Sequence, residues 1–133
     1  MNKPTLYLIR GLPGSGKSTF AKQLFDSDVI SAYFEADQYF MLDGVYKFNP
    51  SLLGVVHNHC QESTKYILSR GDSVAVSNTS TTEKEVETYR KIAEDYNATF
   101  VSIVVENRHG GTNIHDVPEE KIEQMKNRFS IKL

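Results

Sequence analysis

A chain of 133 residues, 39% hydrophobic and 24% charged, has enough apolar content for one core, and its length favours one domain over 1–133. A net charge of −2 excludes a protein built for bulk binding to duplex nucleic acid, which favours a basic face, although a small local basic site can still take a strand end. No apolar run reaches the length of a membrane helix, Met1-Asn2-Lys3-Pro4 leads into the first strand with no signal peptide visible, and the single cysteine, Cys60, rules out an internal disulfide and suits a reducing cytoplasm.

The first predicted element is a strand over Thr5–Arg10, built on the apolar run Leu6-Tyr7-Leu8-Ile9. Gly11 to Ser18 then read G-L-P-G-S-G-K-S, a full phosphate-binding loop pattern, G-x-x-x-x-G-K-[ST]. Glycines let the backbone curl so that successive N–H groups point inward at phosphates. Lys17 is long enough to reach the β- and γ-phosphates, and the Ser18 hydroxyl can coordinate Mg²⁺. A helix over Gly16–Phe25 would aim its positive end at the same anion. The competing reading is an ordinary glycine-rich turn. The strand upstream and the helical spacing of Phe20, Ala21, Leu24 and Phe25 downstream argue against it.

Val29–Phe34 reads as the second strand, ending at Glu35-Ala36-Asp37, and residues 38–49 read as irregular. Pro50 suits a helix start, and Leu52, Leu53, Val56, Cys60, Thr64, Ile67 and Leu68 form a helical stripe that Gly71 terminates. Ser73–Ser77 is a third, central strand. Thr82 and Glu85 have capping-box spacing for a helix to about Tyr96, with Val86, Tyr89, Ile92 and Ala93 as its buried face. Thr99–Val105 is the fourth strand and Glu106–Val117 a polar loop. Pro118 opens a last helix to about Phe129, with Ile122 and Met125 inward. Strands alternating with helices imply an α/β fold with a mostly parallel sheet and right-handed crossovers. Ligands in such sheets sit at the carboxyl ends of the strands, which gathers the phosphate loop, Asp37, the Asn78-Thr79-Ser80 turn and the 106–116 loop around one crevice.

Asp37 faces the acceptor side of a bound triphosphate, where a carboxylate could take a proton from an attacking hydroxyl or hold a water on Mg²⁺. Glu35 and Asp43 are weaker candidates, read as solvated. Asn78 stands where many phosphate-loop enzymes place a metal-binding Asp, so the metal would rest on Ser18, phosphates, water and Asp37, while Thr79 could contact the acceptor. A polar turn capping the next helix is an equal reading for Asn78 and Thr79. Arg108, in a loop with Gly110 and Gly111, is the candidate transition-state arginine; an exposed surface arginine is the competing reading. His57, His59 and Cys60 do not read as a metal site, because His57 and His59 point apart on a helix and Cys60 belongs to the apolar stripe.

With these residues placed, the chain resembles small phosphate-loop kinase-like ATP-binding proteins of phages and bacteria, and is similar to the kinase domain of phage polynucleotide 5′-hydroxyl kinase. The resemblance rests on GLPGSGKST at Gly11–Thr19, EADQYF at Glu35–Phe40, YKFNPSLL at Tyr46–Leu53 followed by His57 and Cys60, SNTST at Ser77–Thr81, and NIHDVPEEKIEQM at Asn113–Met125. It implies a three-layer α/β/α sandwich, and ATP with Mg²⁺ bound by Gly11, Leu12, Pro13, Gly14, Ser15, Gly16, Lys17, Ser18 and Thr19. It also implies γ-phosphoryl transfer to a hydroxyl, with a nucleic-acid 5′ end as the first acceptor, Asp37 as general base, Lys17 as phosphate lysine and Thr79 as acceptor contact. The chain departs from the pattern at Phe40, where polynucleotide kinases carry an arginine, and at Gly111-Thr112, where relatives are basic. A kinase of a small metabolite or nucleoside, and a nucleotide-dependent binding or regulatory protein with weak ATPase activity, are the alternatives.

Overall fold

The computed structural model describes residues 3–36, 41–42, 45–46, 49–80, 82–110 and 117–133. Strands β1 (Thr5–Arg10), β2 (Ala32–Glu35), β5 (Val74–Asn78) and β6 (Thr99–Val104) form one parallel sheet in the order β2-β5-β1-β6. Two residues each of β3 (Met41–Leu42) and β4 (Val45–Tyr46) pair antiparallel, inside the stretch whose sequence reads as irregular. Ladders this short carry no periodicity that a sequence could reveal.

Alternation along the strands builds three layers. Leu6, Leu8, Val74 and Val76 face one side, where they pack with Ile67 and Leu68 of α2 (Leu53–Ser69) and with Val86, Tyr89, Ile92 and Ala93 of α3 (Glu83–Asp95). Ile9 and Ala75 face the other side and pack on Ala21 of α1 (Lys17–Asp26), with Phe20 and Leu24 beside it. A last helix, α4, spans Glu119–Arg128. The expected three-layer arrangement is therefore present, and every pairing within the four-stranded sheet is parallel.

Local chemistry accounts for most element limits. Thr82 and Glu85 complete both halves of the expected capping box on α3. Gly71, at φ 81°, ends α2 by donating its N–H to Leu68 O at 2.9 Å. β2 begins three residues later than its sequence suggests. Asp28 is left-handed at φ 59° and Val29 N–H donates back to Leu24 O at 3.0 Å, so these residues close α1 instead. The stripe on α2 also needs correction at its start: Leu52 is 47% exposed and Leu53 is exposed too. Pro50–Leu52 forms a 3₁₀ turn, whose three-residue period shifts the phase of the helix that follows. Pro118 stands just outside α4 as its cap, and Met125 is only half-buried where Ile122 is buried.

Candidate active site at the carboxyl end of the sheet

Parallel register brings the strand ends level. Arg10 lies opposite both Asn78 and Val104, and Glu35 opposite Ser77. The loop leaving β1 is thus flanked on both sides by chain emerging from neighbouring strands, the usual ligand position of a parallel sheet.

Gly14 and Gly16 hold φ values of 82° and 98°, a region open mainly to glycine. Ser15 N–H donates to Leu12 O at 3.1 Å, which tightens the loop before α1 starts. Gly11 has no room for a side chain: a Cβ there would lie 2.9 Å from Val105 O. No side chain caps α1, and its first turn carries no acidic residue. Its opening amides and positive end therefore face the mouth of the loop, where an anion satisfies both. Lys17 Nζ donates to Leu12 O at 3.1 Å and so stands over the loop. Ser18 and Thr19 are exposed beside it. This cradle fits a phosphate chain, and the Ser18 hydroxyl is a hard oxygen donor that suits Mg²⁺.

Other expected site residues fall in different places. Asn78 is buried, and its side-chain Oδ1 accepts from Ala36 N–H at 3.1 Å. Its carbonyl oxygen thus fixes the backbone immediately before Asp37. Thr79 is half-buried in the turn after β5, and Ser80 next to it is left-handed at φ 46°. Asp37 and Asp43 lie outside the described residues, as do Phe40, Gly111 and Thr112. Arg108 is 87% exposed and ion-paired with Glu106, whose hydrogen bond raises the guanidinium pKa. Glu35, read as solvated, is in fact only 8% exposed, because the strand extends one residue past Phe34 and carries it into the sheet. Cys60 is fully buried, and desolvation, with a smaller contribution from Glu35, pushes its thiol up to about 11. His59 is exposed and lies 3.4 Å from Ser63 Oγ. No group of three or more metal-ligating side chains occurs among the described residues.

A pocket of about 460 Å³ adjoins the cradle, which sequence reasoning did not anticipate. One wall is the α1 face of Gly16, Thr19, Phe20 and Gln23, and the other is Val104 and Val105 at the end of β6. His109 closes the rim; a Cβ on Gly16 would meet its Nε2 at 3.0 Å. The signal was present as spacing: positions 16, 19, 20 and 23 form one helical face that begins inside the phosphate loop.

A parallel sheet whose first strand enters a glycine cradle and an uncapped helix defines the phosphate-loop, kinase-like α/β class. The chain belongs to the AAA domain family, whose model matches residues 6–131. It is 29% identical over 128 residues to human NEDD4-binding protein 2, covering 90% of this chain and 7% of that protein's length. Among solved structures, it is similar to a chain of the Pnkp1/Rnl/Hen1 RNA repair complex, with a TM-score of 0.66 and 20% identity over 96% of this chain and 38% of that one. It is also similar to the Mycobacterium tuberculosis APS kinase CysC in complex with AMPPNP and APS, with a TM-score of 0.57 and 20% identity over 93% of this chain and 69% of that one. No helix among the described residues is long and apolar enough to cross a membrane.

Proposed function

We propose that this chain is an ATP-dependent phosphotransferase that uses the 5′-hydroxyl of a polynucleotide as acceptor. The observation that carries the transferase reading is the cradle. Left-handed Gly14 and Gly16, an uncapped α1 and Lys17 converge on one anion position, level with the acceptor-side turn after β5. Bound ATP would supply the γ-phosphoryl group, and Mg²⁺ would neutralise charge on its oxygens. In this reading the loop amides and Lys17 bind the phosphates and Ser18 offers its hydroxyl to the metal. The pocket lined by Phe20, Gln23, Val105 and His109 would hold the base of the nucleotide. Asp37 accepts the proton of the attacking hydroxyl. Asn78 holds the Ala36 amide and so steadies the chain that leads to that carboxylate. Arg108 would leave Glu106 to meet charge developing on the transferred group.

The polynucleotide acceptor is supported by the motifs that follow the phosphate loop and by likeness to a chain of an RNA repair complex. A small-molecule acceptor is the second reading, favoured by the net charge of −2, by Phe40 in place of an arginine, and by likeness to an APS kinase. The test is labelled-phosphate transfer from ATP to 5′-hydroxyl DNA and RNA oligonucleotides. Labelled oligonucleotide supports the first reading. Intact ATP binding without oligonucleotide labelling moves the acceptor to small molecules.

A further inference from the structure

Arg10 is out of place for the last residue of a central strand. It is charged, 3% exposed, and immediately precedes the phosphate loop. Charged side chains are rarely this buried without partners. Its partners come from two distant segments. Nε donates to Ser80 O at 2.8 Å, and Nη2 donates to Ser130 O at 2.6 Å. The guanidinium also lies over the Phe129 ring, 4.9 Å from its centroid. Burial lowers its pKa, and the nearby charges of Glu83 and Glu85 raise it. Arginine keeps its proton in any such balance. Glu83 joins the same network by accepting from Ser130 Oγ at 3.4 Å.

Two further facts give the network a purpose beyond packing. Ser80 is a non-glycine residue at φ 46°, a strained left-handed conformation that persists only where its surroundings impose it. The Arg10 bond to Ser80 O is one of those constraints. The backbone carbonyl of Arg10 also accepts Val105 N–H at 2.8 Å, at the start of the loop that carries Arg108 and His109. One residue at the root of the phosphate loop therefore holds the chain as it leaves β6 and again as it returns after α4.

We propose that Arg10 is a positioning residue, whose forked guanidinium sets the turn at Asn78–Ser80 and the segment at Phe129–Ser130 in one register with the phosphate loop. Planarity matters here, because two donors of one rigid group aim at two carbonyls. A lysine preserves the charge and loses the fork. Disorder of the turn would first reach Thr79 and the acceptor, a consequence that rests on the transferase reading above.

The test compares wild type with Arg10→Lys and Arg10→Met by amide hydrogen exchange. Arg10→Lys decides the matter if the methionine variant does not fold. Exchange around Ser80 and around Ser130 should rise tenfold or more in Arg10→Lys, with amides of β1 and β5 unchanged. No rise at these segments, or an equal rise throughout the sheet, overturns the proposal, because a merely structural residue lowers protection everywhere. In parallel, a 5′-hydroxyl oligonucleotide is the acceptor probe and AMPPNP the nucleotide probe. The oligonucleotide KM should rise at least fivefold in Arg10→Lys, while AMPPNP affinity stays within twofold. An unchanged KM beside raised exchange overturns the acceptor consequence. Absence of transfer to the oligonucleotide by wild type removes the polynucleotide acceptor and leaves the exchange result to decide the role of Arg10.

Discussion

Replacing Gly11 by alanine adds one methyl group at the tightest point of the site. The new Cβ falls inside the contact shell of Ser15 Oγ, 2.9 Å from Val105 O and 3.3 Å from Lys17 Cγ. The serine can turn aside and the lysine stem can bend, so the carbonyl decides the outcome. Val105 cannot retreat freely, because its N–H is bonded to Arg10 O at 2.8 Å and β6 runs into it along the ladder with β1. Overpacking of this kind costs about 1–3 kcal/mol. For a domain of this size that lowers the thermal midpoint by roughly 4–12 °C, taking about 4 °C per kcal/mol. Gly54→Ala is the control. Its Cβ meets nothing within 4 Å and it sits in α2, so the exchange should be neutral or stabilising by up to about 1 kcal/mol. Both variants are read by thermal unfolding without ligand. A Gly11→Ala protein melting at the wild-type temperature would refute the claim that backbone approach, rather than sequence habit, requires glycine there.

Lys17→Met should lower affinity for Mg²⁺·AMPPNP at least tenfold by calorimetric titration, with the ligand-free midpoint within a few degrees of wild type, since Lys17 is only half-buried. Arg108→Ala should reduce kcat on the order of 10³-fold with little change in nucleotide affinity; an unchanged kcat would leave the residue as the exposed partner of Glu106. Cys60 gives a pH prediction. Its thiol titrates near 11 when folded against 9.0 for the reference group, so its contribution to stability is complete below pH 9 and disappears as pH rises through 11. The stability difference between wild type and Cys60→Ala should therefore shrink across that window, by about 3 kcal/mol at most, and a difference independent of pH would contradict the burial argument.

Features written in neighbouring residues were legible in the sequence. The phosphate loop declares itself by spacing, and the capping box and buried face of α3 follow from residues three and four apart. Order of elements was legible because helices and strands alternate and leave one class of topology. What failed depends on contacts between distant parts of the chain. Glu35 reads as solvated beside Asp37, yet parallel pairing with β5 buries it. Arg10 looks like a strand-end charge, and only the return of Phe129 and Ser130 makes it a buried anchor. Gln23 sits on the polar side of its own helix, and the end of β6 turns that side into a pocket wall. Val29 looks like strand material, but closing α1 claims its N–H first.

The proposed reaction is phosphoryl transfer from ATP to a hydroxyl with Asp37 as the base. The most direct measurement is transfer of labelled γ-phosphate from ATP, with Mg²⁺, to 5′-hydroxyl DNA and RNA oligonucleotides by wild type and Asp37→Asn. Wild type should label the oligonucleotide, and Asp37→Asn should lose the labelling with AMPPNP affinity retained. Equal labelling by the two proteins would contradict the assignment of the base, and no labelling by wild type would contradict the polynucleotide acceptor.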